Sequence, residues 1–150
     1  MRLLAFIAAI IVLASCSSKK TATKTTQLAD SIQIHRVGGF AGFSDHYHIA
    51  NGRVLKADGK SPSVDFDQEL PASSYDKVKT ILAAVPARMY EENNHTYGTT
   101  VTADGMEFDV RAFSKGKTYH WIIRHDTPDY VNAFLVKLNE VFGILAAEQR

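Results

Sequence analysis

Apolar and polar residues alternate along several short stretches of the chain, which is the pattern of a strand with one buried face. Ile32 and Ile34 open the first stretch, and Tyr119, Trp121 and Ile123 share one face of the last. The predicted strands are residues 31–37, 43–49, 53–57, 97–103, 106–113 and 118–125. We therefore expect about six short strands.

Glycine-containing pairs separate several of these predicted strands. Asn51-Gly52 favours a type I′ turn, in which both central residues need positive φ. Asp104-Gly105 predicts a second hairpin, between residues 97–103 and 106–113, and Lys115-Gly116 turns the chain into the last strand. Because strands joined by such short turns run antiparallel, we expect a mostly antiparallel sheet.

Two segments have the period of an amphipathic helix instead. The first covers residues 71–85, where Ser73 with Asp76 forms an approximate capping arrangement and Pro86 ends the helix. The second starts at Thr127-Pro128-Asp129, in the order cap, N1 proline and first-turn acid. Its apolar stripe is Val131, Phe134, Leu135, Leu138, Val141, Phe142 and Leu145. Since each helix must bury its stripe against the sheet, we predict an α+β fold, an antiparallel sheet of about six strands packed with two amphipathic helices.

The composition fits one globular domain and excludes several classes of protein. The chain has 150 residues, of which 45% are hydrophobic and 22% charged, and this balance excludes wholesale disorder. Its 17 Lys+Arg nearly balance its 16 Asp+Glu, so we expect no nucleic-acid partner, which would need a surplus of cations on one face. With 1 Cys, a disulfide framework and a Cys-rich zinc site are both excluded.

The single cysteine, Cys16, ends an N-terminal segment typical of export. Arg2 precedes the apolar run 3–14, which is shorter than the roughly 20 residues that a transmembrane helix needs. The residues Leu13-Ala14-Ser15-Cys16 resemble the lipobox of bacterial lipoproteins. This resemblance implies cleavage after residue 15 and a diacylglycerol group on the Cys16 thiol. We therefore predict a protein of the bacterial cell envelope that is anchored to the lipid bilayer by acyl chains.

A polar spacer follows the cysteine. Residues 17–27 are polar or small and include Lys19, Lys20 and Lys24 but no acid, so they bury too little apolar surface to order themselves. We divide the chain into a signal peptide (1–15), the lipidated Cys and flexible tether (16–29) and a single α+β domain (30–150). Ser17, a residue other than Asp, resembles the sorting pattern for the outer membrane, facing the periplasm, in a Gram-negative envelope.

His46 and His48 form the most obvious pair of metal ligands. At i and i+2 on a predicted strand they lie on one face, where they could share Zn²⁺ or Cu²⁺. A stable site needs at least a third ligand. Four residues could supply it if the fold brings them close: His120, His125, Asp45 and Asp126. Because Tyr47 and Ile49 occupy the core face, the simpler interpretation places both histidines on the solvent face.

The segment Gly38-Gly39-Phe40-Ala41-Gly42 separates the first two predicted strands. It lacks the Lys-Ser/Thr of a phosphate-binding P-loop, and a strand rather than a helix follows it. Its glycines allow an unusual backbone path, as in a bulge or loop. Phe40 either folds back onto the core or is displayed as an anchor for a partner. The candidate partner-binding residues are Gly38, Gly39, Phe40, Ala41 and Gly42.

The sequence offers little for catalysis. The only cysteine belongs to the lipobox, no GxSxG occurs, and the serines cluster in the tether and the predicted caps. The neighbouring acids Asp65 and Asp67, and likewise Glu91 and Glu92, stand among polar residues and favour solvated charges. We predict no catalytic residue, no cofactor and no enzyme.

The order of elements, with the glycine segment after the first strand, resembles the emfourin family, proteinaceous inhibitors of protealysin-type (thermolysin-like) metalloproteases. The matching residues, within residues 32–145, are Gly38-Gly39-Phe40-Ala41-Gly42, Asp104-Gly105-Met106-Glu107-Phe108 and Asp126-Thr127-Pro128. The resemblance implies a small non-enzymatic α+β module that binds a protease, with Phe40 and its glycines as a contacting or shape-setting element. The lipobox and tether depart from the family, so a tethered copy would meet envelope or extracellular metalloproteases.

We therefore predict a membrane-anchored, non-enzymatic binding lipoprotein, with emfourin-like inhibition of thermolysin-like metalloproteases as its specific form. One alternative is a metal-binding envelope lipoprotein that uses a His46/His48 face. Another is a structural envelope lipoprotein with no small ligand. The three hypotheses differ in what the folded domain binds: a protease, a metal ion or other components of the envelope.

Overall fold

A sheet of seven strands organises the chain in a computed structural model, which describes residues 27–38, 43–58, 65–99 and 105–149. The strands are β1 Ser31–Gly38, β2 Phe43–Ala50, β3 Arg53–Asp58, β4 Gln68–Glu69, β5 His95–Tyr97, β6 Met106–Ser114 and β7 Lys117–Ile123. Their order is β4-β3-β2-β1-β6-β7-β5, and the neighbouring pairs are antiparallel except β5 with β7. With two α-helices this confirms the predicted α+β class, with seven strands where about six were expected.

Apart from the last helix, the helical segments are shorter than the sequence predicts, and two of them have 3₁₀ rather than α-helical geometry. They are α1 Ala72–Val78, a 3₁₀ helix over Lys79–Ala83, a second 3₁₀ turn over Ala87–Tyr90, and α2 Asp129–Ala147. Only the first half of the helix predicted over residues 71–85 is therefore α-helical. The β-branched Thr80 and Ile81 have low helix propensity, and the chain tightens to 3₁₀ geometry there before it reaches Pro86.

Prolines, not side-chain caps, begin both α-helices. Pro71 is the N-cap of α1, so Ser73 lies inside the first turn and the predicted Ser73/Asp76 cap is wrong. Pro128 is the N-cap of α2 rather than its first residue, and Asp129 lies in the first turn as predicted. Neither helix has a side-chain capping hydrogen bond. Each proline carbonyl instead accepts a backbone N–H from the first turn at 2.8 Å.

Two of the predicted turns are confirmed by their backbone angles. Asn51 and Gly52 join β2 to β3 with φ of 49° and 79°, and Lys115 and Gly116 join β6 to β7 with φ of 51° and 73°. Positive φ at both central residues is the signature of the type I′ turn. These turns fix the register of each hairpin, and thereby decide which side chains share a face.

The hairpin predicted at Asp104-Gly105 is wrong. β6 pairs with β1 on one side and with β7 on the other, so neither edge is open to a strand from residues 97–103. β5 instead pairs in parallel with β7. Residues 100–103 of the predicted strand lie outside the described residues. A local turn pattern is overridden here by pairing between distant segments.

The core lies between one face of the sheet and the helices. Its largest side chains, each less than 2% exposed, include Trp121, Tyr47, Phe108, Phe134 and Phe142. The ring of Phe142, on α2, lies edge-on to Tyr47 with centroids 5.1 Å apart, and 5.5 Å from Phe108. By length and composition alone α2 could cross a membrane. Its apolar stripe packs against the sheet, as the core helix of a globular domain does.

One carboxylate, that of Glu92, ties the β5 edge of the sheet to the helices, so the prediction of a solvated charge is wrong for this residue. The hydroxyls of Tyr97 and Tyr130 donate to Glu92 Oε2 at 2.9 and 2.6 Å, and Arg88 Nε donates to Oε1 at 2.7 Å. These hydrogen bonds, that from Tyr130 first, lower the pKa of Glu92 to about 2. Trp121 Nε1 donates to the Glu92 carbonyl at 3.1 Å. β5, β7, α2 and the second 3₁₀ turn therefore meet at this residue.

Candidate functional site

The face of the sheet opposite α2, here called the outer face, carries polar side chains in rows across the strands. His46 of β2 is in register with His35 of β1, and His35 with Asp109 of β6. The adjacent row is His48, Gln33, Arg111 and His120. We define the outer-face cluster as Gln33, His35, Ser44, His46, His48, Asp109, Arg111 and His120.

The imidazoles of His35 and His46 stack on one another. Their centroids are 3.6 Å apart and their planes differ by 14°. Ser44 Oγ lies 3.1 Å from His35 Nε2 and 3.4 Å from His46 Nε2, within hydrogen-bond distance of both rings. Burial lowers the pKa of His35, and the adjacent His46 lowers it further, because two protonated rings this close repel each other. The stack is therefore most stable when His35 is neutral.

His46 and His48 lie on the predicted face of the sheet. The prediction that both are exposed to solvent is wrong. Both project from the same side of β2, yet His46 is only 3% exposed because His35 covers it. The ring of Phe66 lies 5.5 Å from that of His48. Burial lowers the pKa of His48, and its Nε2 has no hydrogen-bond partner among the described residues. The two histidines thus lie in a half-buried layer rather than in free solvent.

This layer does not assemble a metal-ligand set. Across the part of the chain that the structure describes, no group of three or more His, Cys, Asp or Glu side chains could hold a metal ion. Asp45 lies on the opposite face, and His120 is three strands away from β2, roughly 14 Å at the usual strand spacing. His125 and Asp126 are exposed beyond the end of β7. None of the four predicted additional ligands therefore reaches the histidine pair.

Ion pairs connect Asp109, Arg111 and His120 in the remaining part of the cluster. His120 Nε2 lies 3.0 Å from Asp109 Oδ1, and Arg111 Nε lies 3.8 Å from the same oxygen. Beside them, Arg124 Nε donates to Glu107 Oε2 at 2.7 Å. These side chains are between 23% and 40% exposed, so the ion pairs contribute little to stability. They fix the direction in which each charge is presented.

Ser44 and His35 have the separation of a nucleophile and its base, 3.1 Å. Acyl transfer of the serine-triad type also needs a carboxylate that orients the imidazole. The nearest carboxylate in register, Asp109, is hydrogen-bonded to His120 instead. Ser44 and His35 are therefore not joined by Asp109 into a serine-triad arrangement among the described residues.

A small cleft opens in the middle of the cluster. Its volume is about 30 Å³, and its lining is Gln33, Ile34, His35, His46, Phe66, Asp109 and Arg111. This is room for about one water molecule, whereas a pocket for a small-molecule ligand usually has roughly 300 Å³ or more. The cleft is therefore smaller than a typical small-molecule pocket.

Gly38, at the far end of β1, has a backbone that only glycine adopts readily. Its φ is 114°, and a Cβ at this position would lie 2.3 Å from the carbonyl oxygen of Gly105. This supports a shape-setting role for the first residue of the predicted partner-binding segment. The remaining residues of that segment, Gly39, Phe40, Ala41 and Gly42, lie outside the described residues, as does the predicted lipidation site, Cys16.

A second cavity, of about 160 Å³, lies beside this end of the sheet, between β6 and α2. Met106, which pairs with Gly38, lines it together with Phe108, Leu135 and Val136. Val136 is 62% exposed. The polar rim is Arg124, His125, Asn132 and Asn139. The fold therefore places an apolar depression next to the start of the glycine segment.

Sequence reasoning missed Gln33, His35, Asp109 and Arg111 as members of the outer-face cluster. Period-two alternation alone places Ser44 on the same face as His46. Pairing β1 with β2 in register would have added His35. Asp109 enters only through the pairing of β1 with β6, which joins distant segments and leaves no local pattern.

The comparisons with known proteins give no relative from which to transfer a function. No family model matches the chain, and no curated protein and no solved structure matches it either. The resemblance to the emfourin family stays a prediction, and the function must be argued from the geometry.

Proposed function

We propose that this chain is a non-enzymatic binding protein of the bacterial cell envelope, anchored through lipidated Cys16, and that the outer face of its sheet binds a protein partner. One observation carries the proposal. On the face away from α2, the central strands β2, β1, β6 and β7 present half-buried polar side chains that stack on one another or form hydrogen bonds and ion pairs. Antiparallel sheets commonly leave one face to water, but simple solvation does not require stacked rings and in-register ion pairs.

Preorganisation of the cluster supports this proposal. The His35–His46 stack and the Asp109–His120 contact hold these side chains before a partner arrives, which reduces the entropy lost on binding. Arginine and aromatic side chains are enriched in protein interfaces and dominate their energetics. Arg111, with 40% of its side chain exposed, is therefore the anchor we favour.

Affinity capture from envelope extracts tests the binding face. The bait is residues 27–150, which contain every buried core residue that the structure describes, since the first is Ala29. A double variant, Arg111→Ala with Phe66→Ala, should lose a partner that the wild type retains, with Kd raised at least about tenfold. The matched control is Lys137→Ala with Glu140→Ala, an ion pair on α2 and away from the outer face. A partner that binds both variants equally well contradicts the proposed face.

Inhibition of a thermolysin-like metalloprotease is the specific form of the proposal, supported by the resemblance to emfourin and by the constrained backbone at Gly38. The test titrates a panel of such proteases with residues 27–150. Gly38→Ala should weaken inhibition, because its Cβ would meet the Gly105 carbonyl at 2.3 Å. Gly116→Ala is the control, since it also has positive φ but nothing within 4 Å. No inhibition across the panel removes the protease form and leaves the binding face untouched.

The anchor is tested separately, at Cys16. Cys16→Ser should release the protein from the membrane or trap an uncleaved precursor, because no thiol is present to take the diacylglycerol group. Acyl labelling and membrane fractionation are the measurements. Unchanged labelling and membrane association in the variant would refute the lipobox interpretation.

Metal binding is the second candidate, favoured by the shared face of His46 and His48 and by the unpartnered Nε2 of His48. Calorimetric titration with Zn²⁺ and Cu²⁺ compares the wild type with His46→Ala/His48→Ala. The control is His95→Ala/His125→Ala, which removes two exposed histidines. Because the described residues supply no third ligand, we expect no tight binding. Tight binding that only the first variant loses would establish the metal function instead.

A further inference from the structure

We propose that the end of the sheet where the tether enters the domain docks on an anionic phospholipid surface, so that β1 runs away from the membrane. We call this surface the tether end and define it by Leu28, Asp30, Lys115, Gly116 and Lys117. The inference rests on the proposed anchoring of Cys16 and adds an interaction surface and an orientation to it.

The chain enters the folded domain at a fixed place. The Asp30 N–H donates to the Phe113 carbonyl at 2.7 Å, and Ser114 Oγ donates to the Leu28 carbonyl at 2.8 Å. The Lys115 N–H in turn donates to Asp30 Oδ2 at 2.8 Å. Leu28 and Asp30, where the predicted tether meets the domain, are therefore hydrogen-bonded to the turn between β6 and β7 and the end of β6.

The length of the tether favours one orientation. Ten residues, 17–26, separate Cys16 from Gln27. The polar composition of this segment predicts a random coil, for which ten residues have an r.m.s. span of roughly 18 Å. The eight residues of β1 extend over roughly 26 Å. On average the anchor thus holds the tether end near the bilayer, while Gly38 at the other end of β1 lies beyond the usual reach of the tether.

The tether end has the chemistry of a surface that meets anionic headgroups. Lys115 and Lys117 are exposed and have no ion-pair partner among the described residues. Leu28 beside them is 56% exposed and can insert its side chain at the headgroup boundary. The tether adds three lysines, and Asp30 is the first acid after Cys16. The Asp30 carboxylate, which accepts the Lys115 N–H, is the one negative charge of the tether end against the two lysines.

Lysines elsewhere on the domain are differently placed. Lys77, Lys79 and Lys137 each form an ion pair with an acid. Their charge is therefore partly neutralised within the domain. Lys115 and Lys117, beside the point where the chain enters the domain, are uncompensated cations of the described surface, which is the charge complementarity that an anionic bilayer needs.

Docking in this way would leave the rest of the molecule available to partners. The strands would stand upright, so the outer face would be accessible from the side. The cavity of about 160 Å³ and the exposed Val136 would lie at the end away from the lipid. The outer face and the cavity, the two surfaces that could receive a protein partner, would thus both remain accessible.

The test uses the full lipidated chain on vesicles of phosphatidylcholine alone or with phosphatidylglycerol. Flotation with both vesicle types first establishes the anchor. Because the lipid occupies the Cys16 thiol, one introduced cysteine carries a fluorescent donor, at Thr118 on the tether side or at Asn132 on the far side, and the bilayer carries an acceptor. We expect greater energy transfer from Thr118 than from Asn132, with a difference that grows with phosphatidylglycerol and falls with salt.

A charge variant isolates the two lysines. Lys115→Asn with Lys117→Gln keeps the turn, because Asn tolerates the positive φ at position 115. At about fivefold per lysine near an anionic surface, the ratio of docked to undocked molecules should fall about 25-fold. Lys77→Gln with Lys137→Gln makes the same change in net charge elsewhere and should keep the wild-type orientation.

The outcomes separate the docking from the anchor. Equal transfer from both labelled positions, or a tether-end variant that behaves like the wild type, overturns the docking while flotation still supports the anchor. Failure to float with either vesicle type overturns the anchor and the docking together. If the Lys77→Gln/Lys137→Gln control also loses the orientation, net charge alone is responsible for the docking. That result would overturn the proposed surface too.

Discussion

On the inner face of the sheet, Trp121 and Phe108 pack beneath the helices with less than 2% of their surface exposed, whereas on the outer face Asp109 and Arg111 keep 23% and 40% of their side chains in solvent. Apolar burial stabilises the inner face, at roughly 25 cal/mol per Å². The outer face is organised by hydrogen bonds and ion pairs near water, each of which contributes little. Side chains such as Asp109 and Arg111 can therefore serve binding, because each contributes little to the stability of the fold.

The largest expected effect is the removal of an inner-face ring. Phe142→Ala should lower the free energy of unfolding by about 3–5 kcal/mol, because it leaves a cavity against Tyr47 and Phe108 and removes the ring under the Arg36 guanidinium. Urea denaturation followed by circular dichroism measures this change.

The matched substitution on the outer face is Phe66→Ala. Its ring is only partly buried and touches the half-exposed His48, so we expect a loss of about 1 kcal/mol. Equal losses from the two phenylalanines would mean that the outer face is a second core, and the contrast between the faces would fail.

The next largest effect is the loss of unfolding free energy at acid pH that comes from protonation of Glu92. The folded state holds Glu92 ionised down to about pH 2, whereas an unfolded glutamate has a pKa near 4.5. The stability that Glu92 contributes is therefore fully present above about pH 4.5 and is lost as the pH falls from there to about 2. Glu92→Gln should flatten this part of the curve of unfolding free energy against pH. Glu91→Gln, at the exposed neighbouring position, should leave it unchanged.

The histidines of the outer face change the free energy of unfolding at a higher pH than Glu92 does. Folding lowers the pKa values of His35 and His48 below the usual 6.5, so the unfolded state binds more protons. Their contribution is fully present above about pH 6.5 and is lost as the pH falls below that value. In urea titrations between pH 7.5 and 5.0, His35→Gln/His48→Gln should show a smaller decline than the wild type. An equal reduction in His95→Gln, an exposed control, would point to a cause outside this face.

The inner face could be predicted from the sequence because its pattern is local. Ile32 and Ile34 alternate within one strand and are both buried, and the stripe of α2 repeats within one helix. The type I′ turn at Asn51-Gly52 needs only its own two residues. In each case the interactions that decide the structure lie within a few residues of one another, so the fold class follows from periodicity.

The outer-face cluster could be predicted only in part, because its contacts join distant strands. His46 and His48 share a face by alternation alone, but the burial of His46 depends on His35 across the sheet. Asp109 lies beside His35 only because β1 pairs with β6. The same non-local pairing removes the hairpin predicted at Asp104-Gly105. Sequence patterns thus locate the central strands but not the neighbours that give the outer face its chemistry.

The smallest expected effect is the coupling between Asp109 and His120. A double-mutant cycle with Asp109→Asn and His120→Gln should give a coupling free energy of about 0.2–1 kcal/mol, because both side chains are partly in solvent. The control cycle is Lys137→Gln with Glu140→Gln, an ion pair of similar length within α2 and away from the outer face. Unfolding free energies of the four proteins in each cycle provide the measurement.

The size of this coupling decides how the outer face should be understood. A value similar to that of the control pair means that Asp109 and His120 orient one another at little benefit to the fold, so their arrangement is available to a partner. A coupling above about 2 kcal/mol would make the pair a structural element comparable to an inner-face contact. The ordered polar rows would then be explained by stability, and the strongest argument for a binding face would be lost.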